Sequence, residues 1–464
     1  MKSFLLSAAM VFGLLGTTAL AADQTKSADS ADKRSFELTS ATPPTPALKY
    51  QFMFDDAGDR LPGNAAILYL DSVLLLDADT RDKIRNAFEA YKTDRKTFGS
   101  VADSIDATNA LKEVALAGRR VDCNWESPFG EMGWETLLPH LEPMLQGVGR
   151  LLWVRAHRQI EQGKTDEAIQ TIRIGYEMAD KIGREGTLVS ALVALAVSGM
   201  MDDCVVELTS RPEAPNMFWA LSELPRRQKA LRHSLDVESQ WALRPVPNLA
   251  SVRSGKQLSA KQWGDVFADI QRLLAIDAGN GHAQLPDVVK DASKETIERA
   301  KSEYAATHHL SAKQVAEADL ISVLGEYYFR QYEIAYDEWS KYRGLPYPAL
   351  IEKAKAYDSW SKKLKAEQRS NLLVQTLPVM TGAVEKFARS DRRLAALTAV
   401  EALRAYAAAN GGKLPERLDE IVETPVPLNP MTGKPFEYAV TNGVATISDA
   451  TPGNQLEYSV KVRK

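Results

Sequence analysis

The sequence predicts a mainly α fold: a helical bundle with a tetratricopeptide-like helical hairpin, plus a small C-terminal antiparallel β-sheet. Three observations predict it. Apolar residues recur at helical spacing on both sides of Gly163-Lys164. Gly186 to Met201 contains no charge, and a helix that is apolar all round is one the core buries. After Gly411-Gly412 the apolar period shortens to two, and Asn442-Gly443 separates two alternating runs as a hairpin turn would.

Composition sets the frame. The chain has 464 residues, 45% hydrophobic and 25% charged, the profile of a soluble globular protein of about two to four domains. The formal net charge is −4 and no run of five Lys or Arg occurs, which argues against a nucleic-acid partner.

The N-terminus reads as an export signal. Lys2 is a positive n-region, Phe4 to Leu15 is apolar, and Ala19-Leu20-Ala21 has the small-x-small form of a cleavage site. Residues 1–21 are therefore expected to be a secretory signal peptide, and the mature chain to carry a net charge of about −5. No Cys follows the cleavage site, so the chain lacks a bacterial lipoprotein signal. Residues 22–46, ending in ATPPTP, read as a flexible leader too poor in apolar residues to fold.

A helical domain with the repeat-like hairpin is expected over 47–245. Leu48, Tyr50, Phe52 and Phe54 alternate as in an extended segment. Asn64 starts a helix through AAILYLDSVLLL, and Asp79 or Thr80 caps the next. Asp77, Asp79 and Asp82 do not make a calcium loop, because the sixth position lacks Gly and the twelfth is Phe88. DATNALKEVALAGRR is a further helix. CNWESPFGEMGW, from Cys123 to Trp134, is an irregular aromatic segment. Its rings either plug the end of a bundle, or Trp125 and Trp134 line a site with Glu126 or Glu131 as the polar group and His140 nearby.

The hairpin follows. Leu151, Leu152, Val154, Ala156 and Ile160 form the apolar stripe of its first helix, and Gly163 ends it. GKTDEAI resembles the turn inside a tetratricopeptide repeat, with Ala168 as the small contact residue. One such unit is present rather than an array. Gly186 to Met201 is shorter than the roughly 20 residues a bilayer needs, so it reads as a core helix that Leu195→Asp would unfold. APNMFWALSELP is a short helix between prolines, a longer helix follows, and 244–257 is loose.

A second helical region is expected over 246–377. Residues 259–276 and 287–308 are helical, and Ser311 with Gln314 forms a capping box. That box opens a long helix carrying Tyr327, Tyr328, Phe329, Tyr332, Tyr336 and Trp339. Leu345-Pro346-Tyr347-Pro348 breaks it, and a polar helix runs to about Glu367. The last region, 378–464, joins a long helix, Val379 to Asn410, to the small sheet. Asp391, Arg392, Glu401 and Arg404 on that helix read as surface or inter-helix ion pairs, of little weight if exposed.

Several stretches together resemble uncharacterised exported helical proteins widespread in planctomycete bacteria. They are PALKYQF, PGNAAILYL, CNW, the block from LLPHL to GKTDEAI, and APNMFWALSELP. Further on come GLPY, RSDRRLAALTAVEALRAYAAANGGKLPERLDEI and PVPLNPMTGKPFEY. The resemblance implies an exported helical protein and brings no catalytic residue. The C-terminal part is also similar to the end of a type II secretion pseudopilin, with Tyr406, Asn410-Gly411, Leu414-Pro415 and PVPLNPMTGKPFEY as counterparts. It lacks the apolar stem that such proteins place directly after their cleavage site.

The chemistry-bearing residues are few. Cys123 and Cys204 are the only cysteines. After export they could form a disulfide across a loop of about 80 residues, or stay as separate buried thiols. His308-His309 is the only pair among six histidines, and neighbours on a helix diverge by about 100° and do not chelate together. No metal site or cofactor is expected, and no HExxH, GxSxG, SxxK or P-loop occurs. The expectation is an exported, periplasmic or extracellular, non-catalytic interaction or scaffold protein with a protein or cell-envelope partner. It has no transmembrane segment after signal cleavage. The alternatives are a metal-independent periplasmic hydrolase, using Trp125, Glu126, Trp134 and His140, and a secretion-system accessory protein.

Overall fold

A computed structural model describes residues 32–55, 58–125, 140–241, 246–277 and 286–463. Residues 1–21, expected to be a signal peptide, residues 22–31 of the expected leader, Glu126, Glu131 and Trp134 lie outside the described residues.

In chain order the first elements are β1 (Asp32–Thr39), β2 (Leu61–Asn64), α1 (Ala65–Leu74), α2 (Ala78–Thr93), α3 (Arg95–Asp103), α4 (Thr108–Gly118) and β3 (Arg120–Asp122). A π-helical turn, Met144–Gly149, leads into α5 (Arg150–Glu161), α6 (Thr165–Gly183), α7 (Leu188–Thr209) and α8 (Phe218–Ser222). Next come α9 (Gln228–Trp241), α10 (Pro247–Arg253), α11 (Ala260–Asp277), α12 (Lys294–His308) and α13 (Ala312–Glu317). The chain continues through α14 (Leu320–Ser340), α15 (Tyr347–Glu367), α16 (Leu372–Gln375) and α17 (Thr381–Ala409). It ends in β4 (Glu437–Thr441), β5 (Val444–Asp449) and β6 (Leu456–Arg463).

These elements divide into two compact units. The hairpin unit holds the described residues of Leu15–Glu126, Pro139–Ser234 and Lys386–Lys464. The described residues of the aromatic unit fall within Leu235–Glu385. The expected division at 47–245, 246–377 and 378–464 is thus redrawn: most of the last long helix and the tail sheet belong with the hairpin. Nothing local in the sequence announces that return, because it depends on pairing between distant segments.

The hairpin unit is built on α5, α6 and α7. Gly163 takes φ +71°, a left-handed turn that costs a residue without Cβ little. Ala168 is fully buried behind it. Thr187 and Ser190 form a reciprocal capping box that starts α7. That helix runs 22 residues, about 33 Å, longer than its charge-free stretch. It is the only helix among the described residues long and apolar enough to cross a membrane, and 56% of its apolar window is buried inside the structure. Leu195, expected in the core, is only half-buried.

The small sheet has the order β1-β6-β5-β4. Its three C-terminal strands are antiparallel, turned by Asn442 (φ +53°) and Gly443 (φ +77°). The fourth strand corrects two expectations. Residues 32–39, assigned by composition to the leader, form β1, and β1 pairs parallel with β6 from Asp32↔Leu456 to Thr39↔Arg463. The sheet is therefore mixed. Phe36 and Leu38 alternate inward and are buried beside Tyr458 and Val460; a polar average over the leader hides a two-residue apolar repeat.

Other boundaries shift by a turn or less. Asp77, not Asp79 or Thr80, caps α2 by accepting from the Thr80 amide at 2.8 Å. Residues 47–54 are turns and bends rather than a strand, and the Phe52 ring packs tilted against Tyr176, centroids 5.4 Å apart. Pro247 opens a helix inside the stretch expected to be loose, as its fixed φ suits a first turn. The Ser311–Gln314 capping box is present, but it opens only the six-residue α13.

In the aromatic unit, α11, α14 and α16 bury Trp263, Phe267, Tyr328, Phe329, Leu372 and Leu373 in one cluster. Trp263 lies flat against Gly325, where an added Cβ would sit 2.3 Å from the ring. The Tyr328 hydroxyl meets the Ser370 hydroxyl at 2.6 Å.

Candidate functional site

The aromatic segment assembles in part. The Trp125 ring lies against His140, centroids 4.6 Å apart, and against Tyr69 at 6.0 Å. His140 Nε2 stands 3.2 Å from Glu185 Oε1, and both side chains are nearly buried, 9% and 1% exposed. The acid beside the histidine is therefore Glu185, just past the end of α6, and no sequence signal joined residues 45 apart. Trp125 and His140 meet; Glu126 and Trp134 cannot be placed with them, being outside the described residues. The stacked rings and the nearly buried His140–Glu185 contact pack together as one polar and aromatic cluster.

Of the two arrangements left open for the cysteines, the structure has separate thiols: Cys123 and Cys204 are both free. Cys123 lies near Lys181, Arg184 and Glu185, where α6 gives way to α7. Cys204 lies sixteen residues into α7, about 24 Å further along at 1.5 Å per residue, while a disulfide needs Cα atoms within about 7 Å. Burial pushes the Cys123 thiol up to about 12, and burial raises Cys204 further still. Both stay protonated at neutral pH, which leaves them poor nucleophiles.

Most buried charges of the hairpin unit are committed to one another. Glu177 accepts from the Phe54 amide at 2.6 Å, from Arg60 at 2.6 Å and from Lys181 at 2.8 Å. Burial, partly offset by Glu177, holds the Lys181 ammonium below its usual range. Asp202 accepts from Tyr176 at 2.8 Å and from Arg227 at 2.6 Å. Glu401 and Arg404, read from sequence as a surface or inter-helix ion pair, are 1% and 0% exposed and 2.9 Å apart. Glu401 also accepts from the Met217 amide, and Arg404 donates to the carbonyls of Thr39 and Ala214. Asp391 accepts from the amides of Arg227 and Gln228, while Arg392 reaches Asp449 at 2.7 Å. These groups hold segments of the chain together, although Asp202 Oδ2 and Arg392 Nε are buried without a hydrogen-bond partner.

One recess in this unit is different. It has a volume of about 500 Å³, between the second half of α6, the first half of α7, the Leu224–His233 stretch and the Phe387–Leu394 part of α17. Ala179, Ala191, Ala194, Leu195, Phe387 and Leu394 make its wall apolar. Small residues on facing helices create the space, since alanine leaves room that a leucine would fill. Arg184, Arg226, Lys229 and His233 stand at its polar side. Arg184 pairs with Asp180 at 2.6 Å, and His233 Nε2 lies 3.1 Å from the Arg184 carbonyl oxygen. Arg226 and Lys229 are exposed and have no ion-pair partner among the described residues. The run RRQKALRH displays these cations in the sequence, but part of the apolar wall comes from Phe387 and Leu394, more than 150 residues away.

No group of three or more His, Cys, Asp or Glu gathers for a metal among the described residues. In comparisons with known proteins, no family model, no curated protein and no solved structure matches this chain.

Proposed function

We propose that the protein is an exported, non-catalytic recognition protein of the cell envelope, and that it works through the recess of the hairpin unit. The single observation that carries this reading is the pair of uncompensated cations, Arg226 and Lys229, at the edge of an apolar recess. They stand in a unit where most interior charges have partners. Cations beside an apolar wall suit the binding of a ligand that is anionic at one end and apolar at the other. The Tyr176 phenol on the wall is held protonated by burial and donates to Asp202, so it supplies no base. The export-signal pattern of residues 1–21 and the resemblance to exported planctomycete proteins support the envelope placement.

Hydrogen exchange of the purified chain, mixed with extract of its own envelope, tests the proposal. Slower exchange confined to 180–233, with the bound component recovered chemically unchanged, is the expected result. Turnover of an envelope glycan or peptide, abolished by substituting one acid or histidine, would sink it in favour of the hydrolase.

A further inference from the structure

The geometry points to an occupant class for the recess: a single-chain amphiphile, with its acyl chain against α7 and an anionic carboxylate or phosphate head at Arg226 and Lys229. This rests on the recognition reading above and deepens it. The volume of about 500 Å³ lies in the lower half of the roughly 300–1,000 Å³ range of small-molecule sites, which suits one chain rather than two. The wall presented to that chain is Ala191, Ala194 and Leu195 from α7, with Phe387 and Leu394 opposite. Leu195 is half-buried, as are its α7 neighbours Leu192 and Ala196, so covering it removes apolar surface from water, the main source of affinity for such a ligand.

The head is assigned a negative charge by what surrounds it. Among the described residues Asp180 is the only carboxylate lining the recess, and Arg184 neutralises it at 2.6 Å. Arg227 is taken up by Asp202. The first amides of α9 are taken up too, because Asp391 accepts from Gln228. The head therefore depends on the side chains of Arg226 and Lys229 and not on a helix terminus. Arg offers two parallel donors that match either a carboxylate or a phosphate. Both cations are exposed, so they contribute selectivity between heads more than total affinity.

Calorimetric titration of the purified chain, below micelle-forming concentrations, separates the contributions. Dodecanoate and dodecyl phosphate share a chain and differ in the anion; dodecanol has the same chain without charge; acetate and inorganic phosphate are heads without a chain. Both anionic amphiphiles are expected to bind, dodecanol about tenfold more weakly or worse, and the bare heads not measurably. A preference for one anionic head over the other identifies it as carboxylate or phosphate. The exposed double change Arg226→Glu/Lys229→Glu should weaken the anionic amphiphiles by about tenfold while leaving dodecanol within about twofold. Leu195→Trp should fill the recess and weaken all three, with an unchanged circular dichroism spectrum showing that the fold survives. Equal binding of dodecanol and dodecanoate, or a charge-reversed variant that binds as the parent does, overturns the assignment. If an acidic peptide instead slows exchange over 180–233, and Leu195→Trp blocks it while no amphiphile binds, the amphiphile is overturned and the recognition reading survives. If neither amphiphile nor envelope extract slows exchange there, both fall.

Discussion

The hairpin unit and the aromatic unit fill their interiors in different ways. In the first, Glu177, Lys181, Asp202, Glu401 and Arg404 are at most 1% exposed and hold one another or the backbone. In the second, Trp263, Phe267, Tyr328 and Phe329 fill the space, and the polar contact between Tyr328 and Ser370 joins two hydroxyls. Aromatic packing rewards volume and shape but distinguishes weakly between partners of similar size. Buried ion pairs add little net stability over an apolar equivalent, yet they penalise any arrangement that separates them. The unit assembled from three stretches of sequence is the one held by charge. The unit contained in one described stretch is the one held by rings.

Arg404→Leu should break this contrast hardest. It strands Glu401 without its cation in the core and is expected to cost about 3–5 kcal/mol in chemical denaturation. Adding Glu401→Leu should recover part of that loss; strictly additive effects would show that the two side chains are not coupled. In the aromatic unit, Gly325→Ala drives a methyl group into the Trp263 ring and should cost about 3 kcal/mol, the upper end for overpacking. Trp263→Phe in the same chain should return some of it. Faster hydrogen exchange at 260–340 in the single variant would locate the damage, and unchanged exchange there would contradict the contact.

Acid sharpens the comparison next. His157 lies between Tyr91 and Trp153, each 4.2 Å away by ring centroids, with neither ring nitrogen hydrogen-bonded. Burial, aided by Arg95 and Arg211, lowers it from 6.5 to about 3. The folded value is depressed, so the contribution is present above pH 6.5 and is lost as pH falls from there toward 3. The slope is on the order of 1.4 kcal/mol per pH unit, or about 2 kcal/mol by pH 5. His157→Phe should keep the stability at pH 7 and flatten the stability–pH curve over that window. A variant as acid-sensitive as the parent would show that His157 does not bind a proton on unfolding. The smallest effect belongs to the surface. Lys261 and Asp265 pair at 3.0 Å with side chains 86% and 53% exposed, so Lys261→Ala should shift stability by less than about 0.5 kcal/mol in the same denaturation assay.

Local patterns were legible where a short stretch determines its own conformation. Gly163 with Ala168, the Asn442-Gly443 turn, the break at Leu345–Pro348 and the aromatic face of α14 all follow from neighbours a few residues apart. Partnerships across the chain were not. Asp391 and Arg392 are adjacent and invite pairing, but their side chains diverge by about 100° around the helix, one toward the Arg227 amide and the other toward Asp449. The histidine beside Trp125 was readable as a candidate, and its acid, Glu185, was not. The recess is assembled from residues between Met53 and Leu394, and an absence of side-chain volume leaves no motif behind.

Strand β1 has a consequence for the order in which the chain can be completed. Its partner, β6, begins more than 400 residues later, at Leu456. During synthesis from the N-terminus, the aromatic unit is fully emerged before β6 exists, while β1 presents Phe36 and Leu38 on an open edge throughout. Such an edge invites pairing with the wrong chain. Lys33, Arg34 and Glu37 flank and interrupt the apolar pair, as gatekeeper charges do. The strand that waits longest for its partner thus carries charges that discourage substitutes.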